Sequence, residues 1–108
     1  MNTPQEITPT QLSKWLETNK KITILDIRPL AERTEWFIPT SIHSNSYNQL
    51  KAGDATALDD LELDKTIPVI TLCAGGKLSL FATEILAAKG FEAYSLQGGM
   101  KAWNVMNF

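Results

Sequence analysis

The chain is poor in the residues that most often build reactive or metal-binding centres. It has one cysteine, Cys73, and one histidine, His43. A single cysteine excludes an internal disulfide, so a hydrophobic core has to hold the fold. It also excludes an internal resolving thiol, so any thiol chemistry must pass to a second molecule. One histidine makes no metal site, and no partner residue nearby marks His43 as a general base. The carboxylates of Asp59, Asp60, Glu62 and Asp64 do not follow calcium-loop spacing and read as a solvated connection. Basic runs are missing too: 10 Lys and Arg stand against 12 Asp and Glu, a net charge of −2, so no nucleic-acid surface is indicated. No apolar run approaches the ~20 residues that span a bilayer, which leaves no membrane partner. The polar start, Met1 to Glu6, has no signal-peptide core, and a cytoplasmic location is the expectation.

What is present suits one folded α/β domain. Hydrophobic residues make up 44% of the 108 positions and charged residues 20%, an ordinary globular balance. A single domain over residues 1–108 is expected, with 1–6 as a loose tail or short edge. Thr8, Pro9 and Gln11 have the form of a helix start, with a cap, a first-turn proline and a capping-box partner. The helix runs to about Asn19, with Leu12, Trp15 and Leu16 on one face. Ile22 to Ile27 is a β-branched strand ending in Asp26-Ile27-Arg28-Pro29. Pro29 to Trp36 is a short helix, Ser41 to Ser44 a very short strand, and Tyr47 to Leu58 a short helix broken at Gly53. Pro68 to Cys73 is a buried strand and Phe91 to Leu96 another, separated by a helix that Gly90 ends. A final short helix follows Gly98-Gly99 and is anchored by Trp103. The alternation predicts a mostly parallel central sheet with helices on both faces.

The stretch from Pro68 to Leu86 organises the rest. Its strand ends at Cys73, where open α/β sheets gather their sites. The helix after the loop aims unpaired N–H groups and the positive end of its dipole back at that loop. Such a loop holds an anion well, and if the anion is the cysteine sulfur, the thiolate is favoured and a nucleophile results. Gly75 and Gly76 let the backbone turn tightly over the sulfur, and Lys77 adds positive charge. The alternative is an inert cysteine in an ordinary turn, since unpaired cysteine often serves as a small buried hydrophobe. Asp26 and Arg28 have two readings as well: a structural ion pair, which these residues favour, or an arginine offered to a substrate anion.

Several motifs together resemble the rhodanese (thiosulfate sulfurtransferase-like) family. Leu25-Asp26-Ile27-Arg28 is similar to its Leu-Asp-Val-Arg strand end. Glu32 with Ile38-Pro39 resembles the motif in which a glutamate precedes Gly-His-Ile-Pro-Gly-Ala. Cys73 to Ser79 resembles the active-site loop, and Gly98-Gly-Met-Lys-Ala-Trp103 the C-terminal Gly-Gly-x-x-Ala-Trp signature. The matches run in order from Leu25 to Trp103, and the length resembles the single-domain members.

The resemblance implies a sulfurtransferase in which Cys73 takes the outer sulfur of a donor such as thiosulfate and becomes a persulfide. A thiophilic acceptor, cyanide or a thiol, then removes it. The partners implied are a small-molecule sulfur donor and such an acceptor, which can be a protein. No metal and no organic cofactor is implied. The backbone from Ala74 through Gly75, Gly76, Lys77 and Leu78 to Ser79 would form the anion cradle, with Lys77 assisting the donor and Asp26 and Arg28 in support. Two departures stand out. Leu78 takes the place where many members carry a loop arginine, and Trp36-Phe37 replaces Gly-His. A degraded loop would suit a non-catalytic binding module instead. A phosphatase or arsenate reductase is a weaker alternative, because those relatives have a loop one residue longer and a tyrosine phosphatase needs an arginine where Ser79 stands.

Overall fold

The computed structural model describes residues 5–107. Ten elements alternate along it: β1 (Glu6–Ile7), α1 (Pro9–Glu17), β2 (Thr23–Asp26), α2 (Leu30–Glu35), β3 (Ile42–His43), α3 (Tyr47–Lys51), β4 (Val69–Leu72), α4 (Leu78–Ala88), β5 (Ala93–Leu96) and α5 (Gly99–Asn107). The strands form one sheet in the order β1-β5-β4-β2-β3, and every pairing is parallel. The expected tail gives way at Glu6, whose strand adds to the sheet edge through Ser95; residues 1–4 lie outside the described residues.

Strand β4 is central because all four of its residues can be buried. A parallel sheet covered on both faces demands such runs. Successive side chains then divide between two cores. Leu25, Ile27, Val69 and Ala93 face α3 and α4, meeting Leu50, Ala82, Ile85 and Leu86. Ile24, Ile70, Leu72 and Leu96 face the other way, onto Leu12 of α1 and Met100 and Trp103 of α5. Burying each Leu or Ile contributes about 1.5–3 kcal/mol, so the two faces share the work of holding the sheet.

Helix ends follow local chemistry. The Thr8 hydroxyl accepts from the Gln11 N–H at 3.1 Å and Pro9 opens α1. Trp15 packs against Tyr94 in a T-shaped pair, ring centroids 5.6 Å apart, with the Lys20 ammonium over its ring, so it is a packing residue. At the end of α4 the Phe91 N–H reaches Leu86 O and the Gly90 N–H reaches Ala87 O, a Schellman closure. This closure uses Phe91, so β5 begins at Ala93 rather than at Phe91. The connection between α3 and β4 is held by turns: Asp54 accepts from Thr56, and Asp64 from Thr66, through both backbone and side chain. Those bonds hold both carboxyls below the usual carboxylate range.

Candidate active site

Because every strand is parallel, Asp26, His43 and Cys73 all come to the same edge of the sheet. Cys73 follows β4 directly and is 4% exposed. Its Sγ lies 3.1 Å from the Gly76 N–H and 3.4 Å from the Ser79 N–H, and both groups point at it. The Ser79 hydroxyl lies 3.4 Å away on the same side. Ser79 sits in the first turn of α4, whose leading N–H groups have no helical acceptor. The sulfur therefore occupies the focus of a backbone cradle and the positive end of a helix.

The loop keeps this shape through contact with the start of α5. Gly76 has φ +93, and a Cβ there would stand 2.8 Å from Gly98 N. Gly99 has φ +61, and a Cβ there would stand 2.4 Å from Cys73 O and 2.6 Å from Ala74 O. The close approach lets Met100 N–H donate to Cys73 O at 2.9 Å and Lys101 N–H to Ala74 O at 3.0 Å. The first N–H groups of α5 are thus satisfied by the carbonyls of the cysteine loop, and the Gly-Gly pair is part of the site's frame. Gly75 differs: its φ is not positive and nothing lies within 4 Å of a Cβ built there.

Above the sulfur is an open pocket of about 250 Å³ lined by Tyr47, Cys73, Ala74, Gly75, Lys77 and Leu78. Lys77 is exposed at its rim and Leu78 is half-buried, packing its side chain onto the core. Tyr47, from α3, is a wall residue that the sequence pattern does not mark, and the Lys51 ammonium lies 5.8 Å from its ring centre. Among the described residues no group of acidic, histidine or cysteine side chains can hold a metal ion.

Asp26 and Arg28 form a buried ion pair at the end of β2. The Asp26 carboxylate is fully buried and accepts from Arg28 Nη2 at 2.8 Å, from Arg28 Nε at 3.0 Å and from the Arg28 backbone N–H at 3.0 Å. Arg28 also donates to Trp36 O at 2.7 Å. Arg33, unmarked in the sequence, completes the set, donating to Asp26 at 3.1 Å and to the Ser41 hydroxyl at 2.9 Å. This explains how α2 and the turn before β3 are pinned to the end of β2. His43 Nε2 lies 2.8 Å from Arg28 O, and since a carbonyl only accepts, that nitrogen carries the proton.

A set of buried hydroxyl groups lies beneath the cysteine, and of its members the sequence marks only Ser79. Thr71, Ser79, Thr83 and Ser95 are all fully buried. The period of two in β4 and β5 was a signal for it, since it puts Thr71 and Ser95 on the face of the sheet that carries Cys73.

Comparison with known proteins agrees with this architecture. The family model for the Rhodanese-like domain matches residues 8–106, and the chain belongs to that family. A tRNA sulfurtransferase of Desulfurococcus amylolyticus is 34% identical over 77 residues, covering 71% of this chain and 14% of that protein. A probable adenylyltransferase/sulfurtransferase, MoeZ, of Mycobacterium tuberculosis is 30% identical over 98 residues, covering 90% of this chain and 24% of that protein. The chain thus spans about a quarter or less of these relatives' length. The crystal structure of a rhodanese-like domain protein from Staphylococcus aureus superposes with a TM-score of 0.75 at 28% identity, covering 92% of this chain and 90% of that one.

Proposed function

We propose that the chain is a sulfurtransferase that carries a sulfane sulfur on Cys73. The observation that supports this is the convergence of the Gly76 and Ser79 N–H groups on the sulfur at 3.1 and 3.4 Å. Charge-assisted bonds of that kind favour a thiolate and then the terminal sulfur of a persulfide. In the first half-reaction the thiolate attacks the outer sulfur of thiosulfate; the S–S bond of the donor breaks, sulfite leaves with the bonding pair, and Cys73 holds a persulfide anion. In the second, cyanide attacks that outer sulfur, thiocyanate departs and the thiolate is restored. A thiol acceptor, on a small molecule or a protein, takes the sulfur by the same attack. The two steps share one intermediate, so ping-pong kinetics are expected. Lys77, at the pocket rim, attracts the donor anion as a point charge, without an arginine's planar fork. A cytoplasmic setting, where thiols stay reduced, suits a working single cysteine.

Intact mass after incubation with thiosulfate, beside Cys73→Ser, tests the reading. The expected result is a gain of one sulfur that requires Cys73 and is removed by cyanide; Lys77→Ala loads more slowly at unchanged stability. If the folded, reduced protein gains no sulfur from thiosulfate or from an alkyl persulfide, the transfer reading is overturned in favour of a binding module. No observation favours a phosphatase: the position of its arginine is Ser79, whose amide and hydroxyl both lie against the sulfur.

A further inference from the structure

We propose that Ser95 is a positioning residue for the Cys73 thiolate, acting through the hydroxyl of Ser79. The proposal rests on the reading of Cys73 as a working nucleophile. Three atoms are linked by two contacts: Cys73 Sγ lies 3.4 Å from Ser79 Oγ, which lies 2.6 Å from Ser95 Oγ. Both serines are fully buried, so no solvent orients their hydroxyls.

A thiolate can only accept a hydrogen bond. When the sulfur is ionised, the Ser79 O–H must turn towards it. The Ser79 oxygen then has lone pairs to offer, and the Ser95 O–H fills one. That bond fixes the Ser79 rotor and polarises its O–H, which strengthens the bond to sulfur. When the sulfur is a neutral thiol both bonds can reverse, with S–H donating to Ser79 and Ser79 donating to Ser95. The pair is thus oriented by the charge on the sulfur, and Ser95 completes the orientation that the thiolate needs.

The surroundings separate this role from simple packing. The backbone of Ser79 is held by other groups: Thr71 Oγ1 and Thr83 Oγ1 both donate to Ser79 O, at 2.9 and 2.8 Å, and lie 2.9 Å from each other. Ser95 engages the Ser79 side chain instead, from the neighbouring strand β5. Its substitution should alter the hydroxyl and leave the helix start in place.

The test uses Ser95→Ala, Ser79→Ala, the double variant, and the isosteric pair Ser95→Thr and Ser95→Val. Ultraviolet thiolate absorbance and the iodoacetamide alkylation rate are read at one fixed, mildly alkaline pH, with a thermal melt as a check on folding. The loss of the neutral hydrogen bond that fixes the Ser79 hydroxyl predicts alkylation slowed about 3- to 10-fold in Ser95→Ala, with reduced thiolate absorbance. Ser95→Ala should add nothing in the Ser79→Ala background, because its effect runs through that hydroxyl. Ser95→Thr should stay close to the wild type while Ser95→Val matches Ser95→Ala; this pair decides the matter if Ser95→Ala fails to fold. Unchanged thiolate absorbance and alkylation in Ser95→Ala, or effects of Ser79→Ala and Ser95→Ala that multiply, would overturn the proposal. Alkylation needs no sulfur donor. A protein that shows the expected pattern yet takes up no sulfur loses the transfer reading and keeps this one.

Discussion

At the scale of single residues, position along the chain says little about what a charge faces. Asp26 and Arg28 stand two apart at a strand end, and their types suit either a salt bridge or an anion site. In the fold the guanidinium is engaged by the protein: Arg28 meets Asp26 through Nε and Nη2 and donates to Trp36 O from Nη2 and to Glu32 O from Nη1. Tyr94 shows the same dependence on surroundings. Its phenol donates to Glu92 Oε2 at 2.6 Å, and this bond, with some burial and the nearby negative charge, pushes its pKa up to about 12. The raised value means the bonded, protonated phenol is favoured by folding. That contribution is fully present below the ordinary tyrosine range, near 10, and is lost as pH rises towards 12. Glu92→Gln should return the Tyr94 transition in an absorbance titration towards 10. A transition that stays near its original value in that variant would show that burial, not the carboxylate, is responsible.

At the scale of elements, the site depends on a contact between two loop-to-helix junctions that lie far apart in sequence. The Gly-Gly pair before α5 reads as a turn, and it is one. It also has to clear the carbonyls of Cys73 and Ala74 so that two N–H groups of α5 can reach them. Gly99→Ala therefore combines a left-handed backbone with a Cβ placed 2.4 Å from Cys73 O. It should lower stability by about 1–3 kcal/mol from strain alone, in a urea melt, and slow alkylation of Cys73 as the loop shifts. Gly75→Ala, beside the same sulfur, meets nothing within 4 Å and should leave the melt within about 0.5 kcal/mol of wild type. Equal losses from the two substitutions would mean that the close approach at Gly99 is not what shapes the loop.

At the scale of the whole molecule, parallel pairing is what gathers the C-terminal ends of β2, β3 and β4 on one edge. Stability should follow the same layout. Strand β4 is bonded on both sides and wholly buried, whereas β1 and β3 are two-residue edges. Native-state hydrogen exchange should find the slowest amides in β4 and its partners β2 and β5, and far faster exchange in β1 and β3. Protection in β3 as deep as in β4 would contradict that order. The wide groove of about 500 Å³ lined by Leu58, Leu61, Leu86 and Phe91 is separate from the cysteine pocket and shares none of its residues.

The sequence by itself determined the elements, the parallel α/β class and the loop around Cys73. These follow from short-range causes: apolar runs, a capping threonine, a proline in the first turn, glycines at turns. The expected boundaries moved where a tertiary or capping bond claimed a residue, as when Phe91 closed α4 instead of opening β5. Only the tertiary structure decided what surrounds the sulfur. Tyr47 of α3 lines the pocket beside it, Ser95 of β5 meets the Ser79 hydroxyl that lies against it, and Gly99 at the start of α5 abuts the Cys73 carbonyl, and no local periodicity ties those positions to Cys73. Likewise Arg33 joins Asp26 across 7 residues because α2 folds back over the end of β2. Hydrophobic pattern is a local property and survives in one dimension; the donors and acceptors of a buried site are chosen by which strand ends meet, and that is settled when the sheet assembles.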